Sequence, residues 1–463
     1  MTSQFPRIRR FVGARTSGLL LTGVLLAGCQ SANDRFLNVT DPDIINASDV
    51  NNADAAVALA NGVIGTFKSA TGGGESTWMF GGLLADEWST SSTFIQNDET
   101  DQRRIQYINS SVTAMLRQLY RTRTRADEAI AALQKYSPTS RALLAEMFLA
   151  RGFSEMQLAL DFCNGIPIGV TNQQPPDNGQ PKSTAEVFAI AAKSLDSAIT
   201  YANGTDAQSV LMNRSARVTR ARVAMALNDY ATAASLVAGI PTVFAYQHTF
   251  SLATSTNTLW GQGLSSRRYS LGDSLEGNAR NILVANAIPF ASSRDPRLGT
   301  VVIPTSGAIN GQDGLTYART TNIWGQLTAV DVVNGIDARM IEAEVALKNG
   351  QISTWLSIHN TLRAAPPKLG DITPAAMPAL VDPGTDAARV NLQFREKAFW
   401  TFGRGQRLGD MRRLIKQYGR TEANTFPQGV HYKGGTYGTD VNLPVTQPEE
   451  NNPNFKGCTD RVP

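Results

Sequence analysis

Apolar residues recur at helical spacing through most of the chain, in stretches that come in pairs. Ala56, Leu59, Val63, Ile64 and Phe67 fall on one side of a helix that Asp49 or Asn51 could cap and that runs to about Phe67. Thr71-Gly72-Gly73-Gly74-Glu75 stops it. Met115, Leu119, Ala126, Ile130 and Leu133 then mark one long helix, and Leu143, Leu144, Met147, Phe148, Phe153, Met156, Leu158 and Leu160 mark another. Only the turn Ser137-Pro138 separates them, so they should lie antiparallel. A second pair is expected from Thr184 to Tyr201 and from Ser215 to about Val237, with a break at Asn228-Asp229. A third starts with Ile336, Met340, Ile341, Val345 and Leu347, stops at Asn349-Gly350, and resumes with Trp355, Leu356, Ile358 and Leu362. The pairs occupy about 112–161, 184–238 and 335–416. Helical hairpins of unequal spacing are the architecture this pattern predicts.

The period is lost between 239 and 334, where Trp260, Tyr269, Phe290, Tyr317 and Trp324 sit among Gly, Ser, Thr and Asn. A long irregular insertion of this kind is usually functional or disordered. A second loop, rich in Pro from Pro366 onward, runs from Ala364 to Asp386. Gln393–Ile415 carries the densest charge pattern. Phe394, Phe399, Trp400 and Phe402 form its apolar side, Gly403 and Gly405 interrupt the helix, and Arg407, Asp410 and Arg413 then recur every third residue.

The first 28 residues change the charge argument. Arg7, Arg9, Arg10 and Arg15 precede the apolar run Leu19–Leu26, which is too short for a spanning helix, and Ala27-Gly28-Cys29 follows. This reads as an export signal ending in a lipobox, with Cys29 lipidated and residues 29–35 a tether; an ordinary secretory signal with an incidental Cys is the alternative. The 43 Lys and Arg, less those four arginines, match the 39 Asp and Glu, so the basic balance gives no reason to expect a nucleic-acid partner. Gln30-Ser31 places no Asp at the second mature position, which fits an outer-membrane address. After export Cys163 and Cys458 remain as an even pair in an oxidising compartment, and a disulfide between them is expected, against two separate buried thiols.

No catalytic motif is present: no Gly-x-Ser-x-Gly, His-Glu-x-x-His, phosphate loop or Cys-x-x-Cys. No cofactor and no metal centre is expected. Asn97-Asp98-Glu99-Thr100-Asp101 reads as a solvated loop rather than a calcium site, His248, His359 and His431 as isolated, and Arg121, Arg123 and Arg125 as a solvated face. Asp86-Glu87 is an acid pair of the kind a glycosidase uses. Aromatic rings on loops remain as binding chemistry, because sugar C–H faces stack on them while amides and hydroxyls bond the sugar hydroxyls. Trp78, Trp88, Trp260, Tyr269 and Trp324 are the candidates, with core packing the alternative for each.

The Gln393–Ile415 stretch resembles the C-terminal hallmark of the SusD/RagB family, surface lipoproteins that capture nutrients for TonB-dependent outer-membrane transporters. Arg395-Glu396-Lys397, Gly405, Arg407 and Asp410-Met411-Arg412-Arg413 carry the likeness, while Arg404 stands where the family usually has Glu. Scattered matches extend it: Phe162–Pro167, Ser293–Arg297, Ala343–Leu347, His359–Arg363, Leu443-Pro444-Val445 and Asn452-Pro453. The resemblance implies a mainly α, SusD-like domain over 36–463 with tetratricopeptide-like hairpins. It also implies a lipid-anchored outer-membrane protein that binds an oligosaccharide or peptide and passes it to a TonB-dependent transporter. In the family this motif marks the fold rather than the ligand site. A lipid-anchored glycoside hydrolase and a tetratricopeptide-like envelope scaffold are the rival readings.

Overall fold

The computed structural model describes residues 49–169, 177–306 and 310–463; the leader and Cys29 lie outside them. The first described helix, α1 (Ala53–Gly72), is capped by Asn52, whose side chain accepts the Ala55 N–H at 2.9 Å. Asn51, one of the expected caps, instead accepts from Asn52 at 2.8 Å. The helix outruns Phe67 because Ala70 and Thr71 are also buried, and the Thr71 hydroxyl donates to the Phe67 carbonyl at 2.8 Å. After α1 come α2 (Thr77–Leu84), strand β1 (Trp88–Thr90) and α3 (Ile95–Asp101). Every residue of α2 is buried.

The first long pair is α4 (Ser110–Tyr136) and α5 (Arg141–Asp161), turning through Ser137–Ser140. Strands β2 (Ile166–Ile168) and β3 (Gln180–Lys182) lead into α6 (Thr184–Tyr201), which a Ser183/Glu186 capping box starts. Next, α7 (Ala207–Ala226) begins eight residues before Ser215, because Asp206 accepts the Ser209 N–H and caps it there. The expected break is present: Asn228 has a φ of 65°, and Asp229 caps α8 (Tyr230–Val237). Successive helices pack on one another, α1 on α4, then α5, α6, α7 and α8.

The insertion is held at its base. Strand β4 (Ala245–His248) runs antiparallel to β8 (Val330–Asn334), with Ala245 opposite Asn334. Within it, β5 (Tyr269–Leu271) pairs with β1, and β6 (Leu275–Glu276) with β7 (Ile282–Leu283). Then α9 (Gly335–Lys348) and α10 (Ile352–Ala364) form the next hairpin, and α8 packs on α9. The last two helices depart from the paired pattern. Although α11 (Asp386–Trp400) packs on α9, α12 (Arg407–Tyr418) turns away after Gly403-Arg404-Gly405 and seats on α2 and α5. The C-terminal tail returns to the helices. Cys163 and Cys458 form a disulfide with Cα atoms 5.9 Å apart, and the Cys163 N–H donates to the Leu443 carbonyl at 2.9 Å.

Candidate functional site

The two-glycine turn between α11 and α12 rests on aromatic rings. Gly403 and Gly405 have φ of 67° and 65°, a conformation that L side chains rarely adopt. A Cβ on Gly405 would stand 2.3 Å from Trp78 Cδ1, and one on Gly403 2.8 Å from Trp324. Phe402 lies between Trp88 (ring centroids 4.9 Å), Phe290 (5.1 Å) and Trp324 (6.3 Å). Trp78, Trp88 and Trp324 are therefore buried parts of the bed that carries this turn. Tyr269 is buried as well; its hydroxyl donates to the Gly74 carbonyl and accepts from Asn97 Nδ2, both at 3.2 Å. A ring closed on both faces by protein has no face for a sugar, which removes these four as stacking surfaces. Trp260 is half-buried and packs on the edge of the core.

The charges of the turn are spent inside the protein too. Arg407 Nε and Nη2 bond the two oxygens of Asp86 at 2.7 and 2.9 Å. Lys397 reaches Asp410 at 2.7 Å, tying α11 to α12, while Arg413 pairs with Glu344 of α9. Arg404 finds Asp337, the capping-box residue of α9. Burial opposes ionisation of Asp337, but the Arg404 charge outweighs it and holds the carboxyl below its usual value. Arg297 and Arg363 both pair with Glu396. Arg123, expected on a solvated face, is buried against Glu155 at 2.9 Å.

Asp86-Glu87 does not form an acid pair open to substrate. Asp86 is committed to Arg407, and Glu87 is wholly buried, accepting the Gly403 N–H at 3.1 Å. Burial pushes the Glu87 carboxyl up to about 8. The Asn97–Asp101 run is the last part of α3 rather than a loop, and its acids have protein partners. Asp101 accepts the Thr90 N–H at 2.7 Å, and Asp98 accepts from Thr90 and Lys433 at 2.9 and 2.8 Å. Among the described residues no group of three or more His, Cys, Asp or Glu is placed to hold a metal ion. His248, His359 and His431 are buried apart from one another.

A different surface carries open recognition chemistry. Beyond β1 the backbone of Ser91 donates to the Arg268 carbonyl at 2.9 Å and accepts from Asp313 at 3.0 Å, so three distant loops meet there. Phe94 leaves this junction 46% exposed, with the Arg268 guanidinium 4.7 Å from its ring centroid. Gln312 Oε1 accepts from Arg268 Nε at 3.1 Å and from Ser92 Oγ at 3.3 Å. Lys433 closes the group through the Ser92 carbonyl and Asp313, at 2.7 and 3.1 Å. The turn after Trp260, Gly261–Ser265, is fastened to the same place, since the Arg268 N–H donates to the Gln262 carbonyl at 2.8 Å. One aromatic ring held at the surface beside an amide and a guanidinium, with the ammonium and hydroxyl beneath them fixing the loops, suits a flat polyhydroxylated ligand. In sequence its trace is slight: a single Phe in the serine-rich stretch Ser89–Ser92 and beyond.

A scaffold of stacked helical hairpins with a clasped, loop-built insertion defines the class of fold, and solved structures share it. The chain is similar to a SusD superfamily protein from Bacteroides vulgatus (14% identity, 88% of this chain and 99% of that one, TM-score 0.62). It is also similar to a SusD superfamily protein from Bacteroides fragilis (15%, 88% and 99%, TM-score 0.63). A third likeness is to a laminarin-binding SusD-like protein (15%, 88% and 99%, TM-score 0.56). The protein has the SusD-like fold. No family model matches the sequence, and no curated protein does.

Proposed function

We propose that this protein is a SusD/RagB-type lipoprotein that binds a glycan at the Phe94–Arg268–Gln312 surface and delivers it to a TonB-dependent transporter. The observation that carries the reading is the coincidence of this open aromatic and polar surface with a fold whose solved examples include a laminarin-binding protein. A sugar ring stacks on Phe94 and Trp260 while Gln312 and Arg268 bond its hydroxyls. Asp86 and Glu87 lie buried beneath the two-glycine turn, which favours capture over hydrolysis. Cys29 anchors the protein in the outer membrane, and the helical hairpins supply the transporter contact.

A glycan array probed with the purified chain, repeated with Phe94→Ala and Trp260→Ala, tests binding. Phe94→Ala should abolish the signal with the fold intact, and glycan binding unchanged in both variants sinks the assigned site. Gentle-detergent purification from native membranes should recover a TonB-dependent β-barrel with the protein, and Cys29→Ser should release it from the membrane. Recovery of a lone protein counts against delivery.

A further inference from the structure

A cavity of about 340 Å³ opens between α11, α12 and the loops around Asn286 and Asn424. Its size is near the lower end of the ~300–1,000 Å³ usual for small-molecule sites. Three guanidinium-bearing residues line it, Arg395, Arg407 and Arg420, with Asn286, Asn391 and Asn424, and no Asp or Glu is among the lining residues. One charge of the three is matched: Arg407 is bonded to Asp86, whose Oδ2 also accepts the Ile288 N–H at 2.9 Å. The other two are not. The Arg420 guanidinium donates to the neutral amide oxygen of Asn391 and forms no ion pair with a described residue. Exposed Arg395 makes no ion pair with a described residue; its guanidinium rests 5.2 Å from the Phe399 ring centroid. The acids nearest to Arg395 in the chain and in charge, Asp295 and Glu396, are already committed to Arg297 and Arg363.

We infer that this cavity binds an organic oxyanion the size of one sugar ring, bearing a carboxylate or a sulfate. Planar guanidinium groups bond both kinds of oxyanion through paired N–H donors. Phe394 and Leu414 give the body of the ligand an apolar wall, and Asn391 holds the Arg420 fork in place. Burial, and then the charge of Arg407, lower the proton affinity of Arg420, so an entering anion relieves a like-charge strain already present. The cavity shares no residue with the Phe94 surface, and the inference does not depend on the glycan assignment made there.

Titration calorimetry of the purified full chain with glucuronate, galactose 6-sulfate and neutral glucose tests it, with Arg395→Gln/Arg420→Gln as the variant. Neither side chain is buried, so the variant should keep its melting temperature. Wild type should bind at least one of the two anions, weakening as salt rises, and the variant should bind it tenfold or more weakly, because the charged hydrogen bonds to the anion are lost. A response to glucuronate alone identifies the carboxylate, and one to galactose 6-sulfate alone the sulfate. Equal anion affinity in wild type and variant overturns the inference, as does no anion binding tighter than about 10 mM. Binding of glucose as tight as that of the anions also overturns it. Failure of the glycan array leaves these outcomes unaffected.

Discussion

Gly405→Ala isolates what the two-glycine turn does for stability. Two costs add at this position. An L residue held at a φ of 65° carries a penalty of about 1–2 kcal/mol. The new Cβ would also stand 2.3 Å from Trp78 Cδ1 and 3.1 Å from Nε1. Trp78 cannot yield cheaply: it is fully buried, and Gly72 presses on its other side, where a Cβ would sit 3.3 Å from the ring. Overpacking of this kind costs about 1–3 kcal/mol, giving a total of about 2–5 kcal/mol. Gly419→Ala is the control, since Gly419 has a φ of 67° and open space around its Cβ position, so only the conformational cost applies. Urea unfolding followed by circular dichroism on both variants measures the difference directly. Gly405→Ala should be the less stable by at least ~1 kcal/mol at equal m-value. Equal losses in the two variants would refute the claim that the hallmark glycine is there to admit Trp78.

Three further outcomes follow from the buried charges and the disulfide. Arg413→Met strands Glu344 without its cation and should cost about 3–5 kcal/mol in the same assay, with a good part regained in Arg413→Met/Glu344→Gln; no recovery in the double variant argues against the ion pair. Glu87 is held up to about 8 by burial against a usual 4.5, so its bound proton favours the folded state. That contribution is fully present below about pH 4.5 and is lost as pH rises through about 8; Glu87→Gln should flatten the decline over this window, and an unchanged pH slope would contradict it. For the disulfide, alkylation without reductant should modify neither Cys163 nor Cys458. Reduction should lower unfolding free energy by up to about 5–6 kcal/mol, the chain-entropy figure for a separation of 295 residues. Two reactive thiols in the folded protein would disprove the bridge.

What the sequence by itself determined is local. Helix pairs, the Ser137-Pro138 turn, the Asn228-Asp229 break and the stop at Asn349-Gly350 are set by apolar spacing, caps and turn residues within a few positions of one another. An exception shows the limit of pattern alone: α7 starts early on the Asp206 cap, in a stretch where Arg214 and Arg217 obscure the apolar side. Whether an aromatic ring is surface or core was decided only by tertiary structure. Trp78, Trp88 and Trp324 look like loop aromatics until α12 folds across α2 and brings Gly403 and Gly405 onto them. Partnership of charges was likewise invisible, because Arg407 and Asp86 are 321 residues apart and nothing local distinguishes a paired arginine from a solvated one. The exposed Phe94 and the unpaired Arg395 and Arg420 became candidates only by elimination, once the fold had claimed the more conspicuous residues. Burial is a property of the whole contact set, and a single position in the chain does not carry it.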